Sequence, residues 1–481
     1  MIRITDLKLP IDHKQYALQQ KAAKVLGISV DEIQELHIFR RSLDARKKDN
    51  IHYVYVVDVV VLQEQKKLAK IKNKQITKSP DLIYHLPTGK CHMEKRPVVV
   101  GFGPAGLFAS LLLAQMGLCP IVLERGGDVD SRSKAVSHFW QTGELDTENN
   151  VQFGEGGAGT FSDGKLTTRI KDTRCRKILE ELVAAGAPKE ILYDNKPHIG
   201  TDLLRDVVKQ IRERIIALGG EVRFFAKLTD IFHENGHVTA VEVNGTEKIE
   251  TNDVILALGH SARDTFTMLF EKQITLEQKP FAMGVRIEHP QSMVNVAQYG
   301  AFAEKLPAAD YRLTYTTQKN RGVYTFCMCP GGYVVAASSE KGRLAVNGMS
   351  EHARDGKNAN AAVLVQVFPE DFGSSHPLAG MYFQQDLEEK AFLAGGGNYT
   401  APIETVGQFL DNTEDGIKEV MPSYCPKTTF ANMEEIFPVF MTEALKEGLQ
   451  AFGKKLKGFD RPDAVLTAVE SRSSSPVRIL R

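Results

Sequence analysis

One stretch constrains the fold more than any other: PVVVGFGPAGLFASLLLAQMGLCPIVLERG, residues 97–126. From Val98 to Leu123 it carries no charge, and ~20 apolar residues are enough to span a bilayer. Yet Gly101, Gly103, Pro104, Gly106, Gly117 and Pro120 interrupt it, and such residues punctuate turns. The pattern predicts a strand at 97–100, a glycine turn, a helix at 104–116 and a second strand at 120–124, with no membrane span.

Within that unit, GFGPAG at 101–106 matches G-x-G-x-x-G in the context that gives it meaning, between a strand and a helix. Gly101 permits a tight turn, Gly103 lets backbone approach a pyrophosphate, and Gly106 lets helix and strand pack closely. Pro104 and Ala105 open the helix, whose free N–H groups and partial positive charge attract phosphate. Glu124 stands at the second strand's end, eighteen residues beyond Gly106. An acid there accepts hydrogen bonds from an adenosine ribose and disfavours a 2′-phosphate. FAD or NAD is therefore expected over NADP.

A second hexapeptide, GEGGAG at 154–159, matches the same pattern without its context. Only Val151, Gln152 and Phe153 precede it, and TFSDGKLTTR follows in place of a helix. It is not a second dinucleotide turn. Gly156, Gly157 and Gly159 still offer bare backbone to something flat or anionic. Thr160, Ser162, Asp163 and Lys165 supply polar groups at its exit.

At 481 residues the chain exceeds one core, and two or three domains are expected. Lys+Arg and Asp+Glu are both 60, which argues against a nucleic-acid partner. Cys91, Cys119, Cys175, Cys327, Cys329 and Cys425 form no C-x-x-C and no zinc spacing, so no metal is expected. Scattered thiols and a charged N-terminus without an apolar signal core point to a reducing, cytoplasmic setting.

Residues 1–95 read as a small α+β module: a strand at IRITDLKL, a helix from Tyr16 to Leu26 ended by Gly27, and a strand at IHYVYVVDVVVL. KKLAKIKNKQITKSP reads as an exposed connection. Further on, GTDLLRDVVKQIRERIIALGG is an amphipathic helix. EVRFF, KLTDIF, HVTAVEV and EKIET are short antiparallel strands, and NDVILALG is a buried strand. Residues 275–400 mix strands with glycine turns, and 434–457 read as an amphipathic helix ending in a basic run.

Helix, antiparallel strands and then NDVILALG resemble the FAD domain of the glutathione-reductase-like two-dinucleotide-binding superfamily. There a strand ending in A-T-G closes the nucleotide site; here Ala257 and Gly259 occupy those positions, with Leu258 in place of threonine. Glu124–Arg125 resembles the E-[RK] pair of FAD strands. FWQTGELDTENNVQFGEGGAGTFSDGKL, PFAMGVRIEHPQ, FCMCPGGYVVAASSE, VNGMSEHARDGKNANAA and SSPVRI resemble a family of uncharacterised bacterial FAD-dependent dehydrogenases in that superfamily, over about 95–481. The resemblance implies that 154–165 lies along the flavin half of FAD and that Arg132 reaches a phosphate or the adenine end. It also implies a late G-[DE]-x-x-G segment shortly after SSPVRI. The chain stops at Arg481, so its FAD domain is expected to be C-terminally incomplete.

The expected fold is α/β: a Rossmann-like FAD-binding domain at 96–274, with 126–200 inserted and carrying the flavin-side loop. A mixed α+β cap follows at 275–432, with a return to the FAD domain at 433–481 and the N-terminal module at 1–95. The expected function is FAD-dependent two-electron or hydride transfer through flavin N5, on a small-molecule substrate, with NAD(P)H as a transient donor. The alternative is a flavoprotein with a non-redox, RNA-modifying or partner-docking role. No membrane partner is expected, and homo-oligomerisation is left open. Lys165, as a cation beside the ring, and Cys329, as a thiol near it, are the catalytic candidates. His260 and His289 are read as structural.

Overall fold

The computed structural model describes residues 1–480 except 15, 71–72, 88, 90–92, 169, 171 and 412–415. Cys91 lies outside the described residues. The chain divides into two compact units.

The first takes residues 1–88, 165–199 and 298–307. Its antiparallel sheet runs in the order Ile33–Asp44, His52–Val61, Ile2–Pro10, Ile76–Lys78. The helix Ala17–Leu26 closes one face over a core that includes Ile2, Ile4, Leu7, Leu18, Ala22, Val57 and Val59. Gly27 ends that helix in the left-handed conformation, as the sequence predicts. The connection after the third predicted element is more ordered than expected. It forms the helix Glu64–Lys70 and the edge strand Ile76–Lys78, whose Ile76 is buried in the core. Residues 165–199 join this unit because Arg41 grips Asp194 with two hydrogen bonds of 2.7 and 2.9 Å. Its backbone also pairs with Tyr193 and Asn195.

The second unit holds a four-stranded parallel sheet in the order Val254–Leu256, Val98–Val100, Ile121–Leu123, Glu221–Arg223. The predicted strand–turn–helix–strand is present, with its helix at Pro104–Gln115. EVRFF departs from expectation. It pairs parallel with Ile121–Leu123 instead of joining the antiparallel strands Leu228–Glu234, His237–Val243 and Glu247–Glu250. A seven-stranded sheet is assembled from Phe281–Pro290, Thr314–Thr316, Gly322–Cys329, Asn358–Val367, Ala401–Thr405, Thr428–Phe430 and Val465–Glu470. Val465–Glu470 sits inside it, between Phe281–Pro290 and Ala401–Thr405, although the sequence reading returns 433–481 to the nucleotide domain. Pro438 splits the helix expected at 434–457 into Met433–Ile436 and Val439–Lys455. Among the described residues, no helix is long and apolar enough to cross a membrane.

Candidate functional site

The site lies where the parallel strands end. A cavity of about 240 Å³ is lined by the first glycine turn, the strand end Leu123–Arg125, Gln152 and Phe153, residues 157–159, Ala226–Leu228 and the segment from Ala257 to Thr265. That volume suits one part of a dinucleotide, since whole-ligand pockets run from about 300 Å³ upward.

Each glycine of the first turn has a distinct physical reason. Gly101 has φ +95°, and a Cβ there would fall 2.4 Å from the Ala257 carbonyl oxygen. At Gly106 a Cβ would fall 1.8 Å from the Gly101 oxygen, so helix and turn meet in backbone contact. At Gly103 the nearest neighbour is the Gly157 Cα at 3.6 Å, and the residue lines the cavity. A side chain there would occupy ligand space. Gly103 also caps the helix without a side-chain hydrogen bond, and Pro104 begins it. The N–H groups of the first turn are thus left for an anion.

Gly157 makes the two glycine hexapeptides touch: its φ is +60°, and a Cβ would come 2.8 Å from the Gly103 Cα. The Gly156 N–H donates to the Phe102 carbonyl at 2.8 Å. Glu124 joins them from behind. One of its oxygens accepts from the Phe102 N–H at 2.8 Å, the other from the Gly126 and Gly154 N–H groups at 2.9 and 2.8 Å. A carboxylate has about four acceptor positions, so three are committed to loop backbone before any ribose arrives. Thr160 and Ser162 turn inward: their hydroxyls donate to the Glu155 and Gly159 carbonyls.

Arg132 is a correction. The sequence reading sends it to a phosphate or the adenine end, but its side chain is 0% exposed. It donates to the carbonyls of Asn150, Val151 and Glu155 at 2.7 to 2.8 Å. A Cβ on Gly154 would come 2.5 Å from its Cδ, so that glycine makes room for the arginine. Arg132 therefore shapes the second loop from within. Glu155 is also fully buried, accepting from the Val129 N–H and from Arg212.

Arg125 lines the cavity, stacks over Phe153 at 4.0 Å and pairs with Glu148 and Asp264. Lys227 reaches the same two carboxylates. Ala257 and Gly259, just past the strand Val254–Leu256, line the cavity.

Neither catalytic candidate is among the residues that line the cavity. Lys165 belongs to the first unit, where its backbone bridges His198. Cys329 is buried in the seven-stranded sheet, 3.4 Å from an Arg286 guanidinium nitrogen. A bulge interrupts the strand there, and Cys327 takes φ +41°. His260, read as structural, does line the cavity, and burial with the charges of Arg472 and Arg263 pushes its pKa down to about 4. Sequence reasoning also missed Gln152, Ala226 and Lys227, which no motif marks; only sheet pairing carries the last two to the site.

Residues 280–473 match a family model described as FAD-dependent protein, C-terminal domain-like, and residues 1–60 match one described as a domain of unknown function. A protein of Clostridium beijerinckii, described as uncharacterized, is 52% identical over 485 residues, spanning 100% of this chain and 91% of that protein. Nothing in this match supports the expected C-terminal shortening. Similar solved structures include THI4 of Thermovibrio ammonificans (17% identity, 38% of this chain and 66% of that one, TM-score 0.27). Others are L-proline dehydrogenase from P. horikoshii (15%, 42% and 62%, 0.23) and L-amino acid deaminase from Proteus vulgaris (15%, 43% and 56%, 0.23). The match spans under two thirds of each of these three chains, and at such scores none carries an argument.

Proposed function

The chain belongs to the same family as that Clostridium beijerinckii protein, and from this premise we propose that it is an FAD-dependent oxidoreductase. The observation that carries the reading is the meeting of two side-chain-free backbones, at Gly103 and Gly157, beside an uncapped helix N-terminus in the cavity wall. Bare amides at a helix start suit an anion such as a pyrophosphate. The match of 280–473 to a FAD-dependent family model supports the same cofactor.

In this reading Gly101, Gly103, Ala105 and Gly106 present backbone to the pyrophosphate. Glu124, with its remaining acceptor position, and Ala226–Leu228 face the adenosine side. Arg125 and Lys227 close the rim, with their charges already balanced by Glu148 and Asp264. Gly157 and Gly159 lead towards the flavin half. The seven-stranded sheet is assigned the substrate side. When bound, the flavin supplies two-electron chemistry, and the protein's part is to orient it and exclude water. Lys165 and Cys329 are given no role.

The test is spectroscopic. The purified chain, as isolated or after incubation with FAD, is expected to hold flavin after desalting. Its absorption should bleach with NAD(P)H or dithionite and recover in air. A chain that neither retains nor takes up FAD overturns the reading.

A further inference from the structure

Next to His260 lies a largely buried charge network drawn from four separate segments. Glu388 is fully buried and accepts two hydrogen bonds from Arg263, at 2.8 and 2.9 Å, and two from Arg472, at 2.8 and 3.0 Å. Burial opposes its ionisation, but the two guanidiniums prevail and hold it well below the usual carboxylate range. Glu340 accepts from Arg263, from Arg343 at 2.9 Å and from Gln385 at 2.9 Å. Three guanidiniums thus face two carboxylates, a surplus of one positive charge. The imidazole of His260, hydrogen-bonded to the Arg472 backbone and held neutral by burial, adds none.

The network also leaves polar atoms unmet. Arg263 Nε, Arg343 Nε, Arg472 Nη1, Ser339 Oγ and His260 Nε2 are buried without a hydrogen-bond partner. Buried polar groups are overwhelmingly paired in folded proteins, so this concentration asks for a ligand. Three N–H donors and a hydroxyl match the roughly four acceptor positions of one carboxylate. Its single negative charge would cancel the surplus.

We propose that Arg263, Arg343, Arg472 and Ser339 form a subsite for the carboxylate of a small organic acid substrate, reached past His260 from the cofactor cavity. The assignment to substrate rests on the flavin reading; the existence of the subsite does not.

The experiment titrates acetate, against chloride at equal ionic strength, into FAD-free and FAD-loaded protein. Binding is read by thermal shift, and in the loaded form also by flavin difference spectra. Acetate should bind both forms, with affinity at least tenfold weaker in Arg343→Gln and Arg472→Gln. Arg343 is partly exposed, so its variant keeps the test open if Arg472→Gln does not fold. No acetate-specific shift in either form, or undiminished affinity in folded Arg343→Gln, overturns the proposal. If FAD loading abolishes the acetate effect, the donors serve a cofactor phosphate and the substrate assignment falls. Failure of the flavin reading would appear separately, as absence of retained flavin, while the FAD-free titration still reports on the subsite.

Discussion

The two glycine hexapeptides share a pattern and differ in everything that surrounds it. GFGPAG is followed by a helix and packs through Gly106 onto its own turn. GEGGAG runs into a short 3-10 turn, Gly157–Phe161, from its fourth residue, and holds its shape by wrapping a buried arginine. The first is shaped by backbone sterics, at Gly106 against its own turn and at Gly101 against Ala257, with Glu124 holding the Phe102 N–H. The second is shaped by Arg132, Glu124 and Thr160, side chains that reach it from inside. A glycine pattern therefore specifies freedom of backbone, and its partners decide what that freedom is used for.

The contrast can be broken experimentally. The largest effect is expected at Gly106→Val, since even a Cβ would overlap the Gly101 oxygen. Loss of about 4 kcal/mol or more, or failure to fold, should appear in chemical denaturation; a stable variant would refute backbone contact as the reason for that glycine. Arg132→Met comes next. It strands the carbonyls of Asn150, Val151 and Glu155 and should cost about 3 kcal/mol, with a loss of flavin that follows the loss of structure. A variant of unchanged stability with weakened FAD binding would instead restore Arg132 to a ligand role.

Gly103→Ala sharpens the comparison from the other side. With nothing nearer than 3.6 Å, folding stability should stay within about 0.5 kcal/mol of the original. FAD affinity, measured by flavin fluorescence, should fall at least tenfold, about 1.4 kcal/mol. Equal affinity would mean that the bare backbone faces no ligand.

The smallest effect separates the loops by pH. The first has no titratable side chain, whereas the second carries Glu155, whose pKa burial raises from 4.5 against the pull of the Val129 N–H and Arg212. A raised carboxyl pKa means that the folded state holds the proton longer than the unfolded chain. Stability then falls as pH rises from 4.5 through the folded pKa. Glu155→Gln should lose less stability than the original over that window in melts at matched ionic strength. If the original gains instead, the Arg212 pair outweighs burial.

Much of this was legible because it is local. The 97–126 unit, the Ala17–Leu26 helix with its Gly27 cap and the Thr201–Ala217 helix follow from periodicity and turn residues a few positions apart. Glu124 could be singled out by spacing, but two of its three backbone donors could not, because Phe102 and Gly154 lie 22 and 30 residues away. Arg132 is expected at a phosphate or the adenine end because sequence reports charge and not burial. His260 was set aside as a lone histidine, and no short-range pattern shows that it lines the cavity.

The sequence alone determined that a strand, a glycine turn and a helix must follow one another at 98–115, since φ freedom and hydrophobic period are properties of neighbouring residues. Only the tertiary structure decided which strands pair. Glu221–Arg223 joined the parallel sheet, Val465–Glu470 entered the seven-stranded one, and the second hexapeptide came to rest on the first. Pairing partners are chosen by burial and register across tens to hundreds of residues, and no local pattern records that choice.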